Sequence, residues 1–287
     1  MKYLYFFYCI AFICINVSCS SDDSKDTSNP DLSSESKTVL NVSYGSDPQQ
    51  IYDLYLPKNR STTTTKTIIL VHGGGWTEGD KKDMNGFIEL LQKRDKNYAI
   101  VNMNYILANE TTKAYPNQIN DIQSVVSHLK SKSEEYQIKP EFAFIGVSAG
   151  AHLSLLYSYA FDTDNEVKMV ATVVGPTDFT DPIYRNNAQY IDAFPFLVED
   201  FNPDNIAMLQ QLSPSYQVTA SSPPTILFYG NKDPLIPNTQ HESLKKSLEE
   251  FEIIHERTVY EGGHGDWNPS SYIDLDAKLN LFLETHL

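Results

Sequence analysis

The pentapeptide Gly146-Val147-Ser148-Ala149-Gly150 sets a serine between two residues that lack side chains. A hydroxyl becomes a useful nucleophile only when a base takes its proton and an acid orients that base. On a sharp strand-to-helix turn the positions two before and two after the serine must be free of bulk, and Gly146 and Gly150 meet that need. Such a turn puts the amide of Ala149 at a helix N-terminus, where the unpaired N–H and the helix dipole favour developing negative charge. A second stretch, His72-Gly73-Gly74-Gly75-Trp76, follows the apolar run Ile68 to Val71. Three successive glycines are costly in chain entropy unless the backbone itself is needed close to something. The amides of Gly74 and Gly75, with that of Ala149, are the expected oxyanion donors for the tetrahedral intermediate of acyl transfer.

Seven histidines compete for the base. His264 lies in Gly262-Gly263-His264-Gly265, just past the last apolar run, on a glycine-flanked loop. His72 belongs to the glycine stretch and is expected to brace it, and His152, one helical turn after Ser148, to pack structurally. His128, His241 and His286 read as helical and His255 as part of a strand. For the acid, Asp233 follows the run Thr225 to Tyr229, and the chain order Ser, Asp, His favours it over Asp178, its rival. Asp266 stands too close to His264 in sequence to face it from another loop.

These residues need a scaffold, and the patterning supplies one. Leu40, Val42 and Tyr44 alternate with polar neighbours, as do Tyr52, Leu54 and Leu56, which predicts an antiparallel pair at a sheet edge. Short apolar runs at 68–71, 99–103, 142–147, 169–174, 225–229 and 253–259 follow, most of them separated by segments with helical spacing. Met84, Phe87, Ile88 and Leu91 form one such face, and Ile119, Ile122, Val125, Val126 and Leu129 another. Leu244, Leu248 and Phe251 form a third, and Tyr272, Leu275, Leu279 and Phe282 a fourth. Buried strands alternating with amphipathic helices imply a mostly parallel sheet covered on both faces. The three chosen side chains all follow carboxyl ends of strands, the edge where such sheets bind ligands. The stretch from Gly175 to Pro224 breaks the alternation and is rich in Phe and Tyr. Its length predicts a small cap, about 176–222, with short helices such as one near Asn205 to Gln211.

Composition narrows the classes further. With 22 Lys+Arg against 37 Asp+Glu, the net charge of −15 argues against a nucleic-acid partner. No Cys/His run has zinc-ligand spacing and no glycine loop has a nucleotide-cradling form, so neither metal nor organic cofactor is expected. The three cysteines are Cys9, Cys14 and Cys19. Lys2 and the apolar run Tyr3 to Ile15 suit a secretory signal core, too short to span a bilayer comfortably. An apolar core ending in a small residue and Cys19 resembles a bacterial lipoprotein signal, which implies lipidation at Cys19 after removal of residues 1–18. Asp22-Asp23 resembles an export tag of surface-displayed lipoproteins. An ordinary signal peptide or an N-terminal anchor helix are the alternatives. The polar stretch 19–37 reads as a tether, ahead of a catalytic domain over 38–287.

The glycine stretch, the serine pentapeptide, Asp233 and His264 together resemble an α/β-hydrolase of the hormone-sensitive-lipase-like or feruloyl-esterase-like esterase group. Gly79-Asp80-Lys81, Asn104-Tyr105, Tyr115-Pro116 and Asp121 also resemble patterns of that group, whereas Ile106 stands where many relatives carry arginine. The resemblance implies an α/β-hydrolase fold with a small cap and a serine esterase. Its substrate would be a small-molecule or polysaccharide ester, such as an acetyl or feruloyl ester, met outside the cytoplasm by a lipid-anchored enzyme. An arylformamidase-like amide hydrolase and a non-catalytic surface binding protein on the same scaffold are the competing readings.

Overall fold

The computed structural model describes residues 35–94, 96–186 and 194–287. The signal segment 1–18, Cys19 and most of the tether lie outside the described residues.

The chain enters through β1 (Lys37–Ser43), β2 (Ile51–Leu56) and β3 (Lys66–Val71). A 3-10 turn at Lys81–Met84 leads into α1 (Asn85–Gln92), then β4 (Tyr98–Met103), α2 (Asn117–Ser131) and the short α3 (Ser133–Tyr136). β5 (Phe142–Val147), α4 (Ala149–Ala160) and β6 (Val167–Val173) follow. Between β6 and β7 (Thr225–Gly230) lie α5 (Pro182–Arg185), a 3-10 turn at Phe194–Phe196, α6 (Ile206–Leu212) and a 3-10 turn at Pro214–Tyr216. The chain closes with α7 (Asn238–Glu250), β8 (His255–Tyr260) and α8 (Pro269–His286).

Among the described residues the eight strands make one sheet in the order β1-β2-β4-β3-β5-β6-β7-β8. The β1–β2 and β2–β4 pairings are antiparallel and the rest parallel, as the two patterns of patterning require. Alternate residues of the central strands feed two cores. Ile69, Val71, Phe144 and Leu227 share one with Ile119, Ile122, Leu153 and Leu244 from α2, α4 and α7. Ile68, Leu70, Ile145 and Phe228 share the other with Ile88, Leu91, Leu275 and Phe282 from α1 and α8. A strand buried on both faces must be apolar where it is covered, and β5 is throughout, as β3 is from Ile68 to Val71.

Departures from the sequence reading cluster at edges. β2 is nearly all buried rather than half-exposed, because Asp53 is covered by Lys81, whose Nζ lies 2.6 Å from Asp53 Oδ2. β8 begins two residues later than the apolar run, and Ile254 is 59% exposed. Phe251 and Tyr272, counted on buried helix faces, are exposed: Phe251 falls beyond the end of α7, and Tyr272 turns toward the loop at Gly265. The short helix near Asn205 is α6, with the Asn205 side chain accepting from Met208 N at 3.1 Å as its cap.

Candidate active site

Ser148 joins β5 to α4 with φ 54° and ψ −119°, a conformation that a side-chain-bearing residue adopts only under constraint. The constraint is the packing of its neighbours. A Cβ on Gly146 would lie 2.4 Å from Gly150 O, and one on Gly150 would lie 2.2 Å from Val71 O and 2.3 Å from His72 O. Both glycines therefore let α4 start directly against the ends of β3 and β5. The amide of Ser148 donates to Val173 O at 2.8 Å, which pins the turn to β6.

His264 reaches this serine from the loop after β8. Its Nε2 is 3.0 Å from Ser148 Oγ, and its Nδ1 is 2.7 Å from Asp233 Oδ2. An ionised carboxylate only accepts, so Nδ1 carries the proton and Nε2 is free to accept from the serine hydroxyl. The side chain of Asp233 is wholly buried, and its Oδ1 accepts from Leu235 N at 2.8 Å and Ile236 N at 3.0 Å. Gly230 permits the histidine loop to close on β7, since a Cβ there would stand 2.2 Å from Gly263 O. Asp266 shapes that loop by accepting from Gly263 N at 2.5 Å, while Trp267 Nε1 donates to Gly263 O at 3.0 Å. Asp178 points elsewhere: Oδ1 accepts from Thr180 N at 2.9 Å and Oδ2 from Ser243 Oγ at 2.8 Å on α7.

The glycine loop lies beside the serine. A Cβ on Gly73 would be 3.1 Å from Ser148 Cβ. Gly74 has φ 115°, and a Cβ there would lie 2.1 Å from Glu78 O; Gly75 has φ 55° and open space around it. Gly75 and Ala149 line, with Ser148, a cavity of about 180 Å³ whose walls include Trp76, Phe179, Tyr184, Phe194, Leu235 and Ile236. Gly74 is not in that lining. Among the described residues no charged side chain is either. A larger concavity of about 380 Å³, between Tyr55, Lys58, Lys96 and Tyr98, involves none of these groups. The aromatics of the β6–β7 segment both pack on one another, Phe179 and Phe194 at 5.2 Å between centroids, and face the cavity.

His72 braces the loop, as expected. Its ring is buried, stacks on Tyr105 with centroids 4.2 Å apart, and has its pKa lowered chiefly by burial. His152 is buried between Trp76 and Leu212, and burial pushes its pKa down to about 4. Two supports lie behind the loop: Gln118, which the sequence reading does not single out, and Asp121, which it marks only through the family resemblance. Gln118, fully buried on α2, donates to Trp76 O at 2.7 Å and Ile106 O at 2.9 Å. Asp121 accepts from Ile106 N at 2.7 Å and Gln50 Nε2 at 2.8 Å; burial raises its pKa. Main chain and an amide thus hold the Asp121 carboxylate, Ile106 contributing its backbone N–H. The polar residues of an otherwise apolar helix face were the available signal. Among the described residues no group of three His, Cys, Asp or Glu could hold a metal.

A nucleophile, a base, an acid and nearby main-chain donors at the mouth of an apolar cavity can carry out acyl transfer. The family model described as BD-FAE matches residues 52–248, a span that includes Ser148 and Asp233 and ends before His264. Esterase LipC of Mycobacterium tuberculosis is 25% identical over 220 residues, 72% of this chain and 54% of the relative. Arylacetamide deacetylase of Oryctolagus cuniculus is 29% identical over 185 residues, 60% of this chain and 44% of the relative. The chain thus spans about half the length of the curated relatives it matches. A solved structure described as a truncated form of carbohydrate esterase from gut microbiota superposes with a TM-score of 0.72. It shares 21% identity and covers 86% of this chain and 95% of its own. The fold is that of the α/β-hydrolases.

Proposed function

Because the chain belongs to the BD-FAE family, we propose that it is a serine hydrolase of carboxylic esters. The observation that carries this reading is the hydrogen-bonded series Ser148–His264–Asp233, 3.0 and 2.7 Å, opening on a cavity also lined by Gly75 and Ala149. Ser148 Oγ attacks the acyl carbon while His264 Nε2 takes its proton, and Asp233 steadies the imidazolium. The amides of Gly75 and Ala149, and that of Gly74 in the same loop, stabilise the oxyanion. His264 then gives its proton to the leaving alcohol, and water repeats the sequence on the acyl-enzyme.

The cavity borders the serine and the oxyanion donors but not His264. The leaving group departs on the histidine side, so the cavity is the acyl site and the segment 176–222 acts as its cap. An uncharged acyl group, aliphatic or aromatic, suits walls of Phe179, Phe194 and Ile236. A polysaccharide alcohol is compatible with this arrangement, and the likeness to a carbohydrate esterase supports an ester of such a polymer, which we read as an acetyl or feruloyl ester. More of the relatives are named for esters than for amides, arylacetamide deacetylase being of the second kind, and this favours ester cleavage. A binding role would have no use for the strained Ser148 and its two partners.

Wild-type protein is expected to hydrolyse p-nitrophenyl acetate, and Ser148→Ala to lose on the order of 10⁴-fold in kcat. An unimpaired Ser148→Ala variant would refute the mechanism. Lipidation at Cys19 and an extracytoplasmic, membrane-anchored location are part of the same proposal, supported by the sequence of residues 1–23. Labelled fatty acid should enter the wild type in a bacterial host and not Cys19→Ala; equal labelling would remove the anchor.

A further inference from the structure

Several buried groups that this chemistry does not use converge on one side chain. His152, fully buried on α4, accepts at Nδ1 from the Trp76 indole at 3.2 Å, and its Nε2 faces Leu212 O at 2.9 Å. An indole only donates and a carbonyl only accepts, so the ring holds one tautomer, with its proton on Nε2. Leu212 ends α6, inside the β6–β7 segment. Trp76 ends the glycine loop with φ 66°, and its carbonyl is clasped by Gln118 Nε2 at 2.7 Å and Ala108 N at 2.9 Å. Its ring stands edge-on to His152, 5.5 Å between centroids, and also walls the cavity. A continuous line of bonds therefore runs from the aromatic segment through His152 to the residue that follows Gly75.

We propose that His152 is a positioning residue: by gripping Trp76 on one side and Leu212 on the other, it fixes the Gly75 amide relative to Ser148. The placement of the oxyanion donor then depends on how the aromatic segment is seated. This inference rests on Ser148 as nucleophile and Gly75 as oxyanion donor. Its physical basis is that a donor moved by a fraction of an ångström loses transition-state stabilisation while barely touching ground-state binding. Phenylalanine would fill the ring's volume but leave a buried N–H and a buried carbonyl unpaired. Glutamine offers one acceptor and one donor, the same pair of functions as the neutral imidazole.

The test measures kcat and KM for p-nitrophenyl acetate on the full-length chain, with active sites counted by fluorophosphonate titration so that misfolded protein does not weigh in. His152→Phe is expected to lower kcat about tenfold to a hundredfold with KM changed by less than about threefold. Trp76→Phe removes the same bond from its other end and should lower kcat comparably, which keeps the test alive if His152→Phe does not fold. The double variant should lose little more than either single one, and His152→Gln should recover most of the rate. Wild-type kcat per titrated site in both His152→Phe and Trp76→Phe, or fully additive losses, would overturn the inference while leaving the esterase reading intact. An inert, unlabelled wild type would sink the esterase reading itself, and the inference with it.

Discussion

On one side of Ser148 the wall of the site is main chain. Gly146, Gly150 and Gly73 bring β3, β5 and α4 so close that a single added Cβ would meet backbone at 2.4, 2.2 and 3.1 Å respectively. On the other side the wall is side chain: Phe179, Tyr184 and Phe194 pack ring against ring, with Leu235 and Ile236 completing it. At Gly146 and Gly150 the first wall leaves no room for a side chain, and at Gly73 it is tighter than an ordinary contact. The second can repack around a change of volume, because rings in contact adjust where backbone atoms cannot. On the proposed mechanism the main-chain wall carries the chemistry, which every ester shares, and the side-chain wall carries the choice of acyl group.

This division is breakable, and its largest expected effect falls on the rigid wall. Gly150→Ala should lower kcat/KM for all esters alike by at least about a hundredfold, since it drives α4 away from β3 and displaces both Ser148 and the Ala149 amide. A loss confined to some acyl chains would contradict the division. Phe194→Ala should leave kcat for acetyl esters within a few-fold while shifting preference toward longer acyl groups by about tenfold. A series of p-nitrophenyl esters of increasing length reads this directly, and an unchanged profile would show that the rings only fill the segment's own core.

The smallest effect concerns stability rather than rate, and it sharpens the role of the histidine that ties the two walls together. His152 is pushed from the ordinary 6.5 to about 4 by burial, and His241 likewise to about 4 by burial and then by Arg257. Below pH 6.5 the unfolded chain takes up protons at these rings that the folded chain refuses until about pH 4. Their contribution is thus fully present above 6.5 and is lost progressively as the pH falls through that window. Replacing His152 by Gln should flatten the dependence of unfolding free energy on pH there by about one proton, seen by urea denaturation at several pH values. An unaltered slope would mean that the ring is charged in the fold and does not accept from Trp76.

The same contrast explains what could be read from the sequence. The main-chain wall was legible because close backbone approach leaves one residue type available, so Gly146, Gly150 and the triple glycine mark their positions in the chain. Ser148, Asp233 and His264 were legible because each follows the carboxyl end of a strand whose apolar run is plain. Gly75 and Ala149 line the cavity with Ser148, and Gly74 is outside that lining. The side-chain wall was not legible in detail: the density of Phe and Tyr gave its existence, but which rings face the cavity depends on packing at long range. Gln118 and the Asp53–Lys81 pair escaped for a related reason, since a polar residue on a helix or strand reveals its partner only once another element covers it. The exposed edge at β8 was misjudged because two isoleucines lie just before the strand rather than within it.

On the proposed mechanism Ser148 is activated by His264 and Asp233 beside the Gly75 and Ala149 amides. The most direct test of this activation is the intact mass and peptide map of the protein after exposure to a fluorophosphonate. One phosphonyl group should be gained at Ser148 in the wild type, and none in folded Ser148→Ala or, on the same timescale, His264→Ala. A folded wild type that stays unmodified, or one modified at another serine, would contradict it.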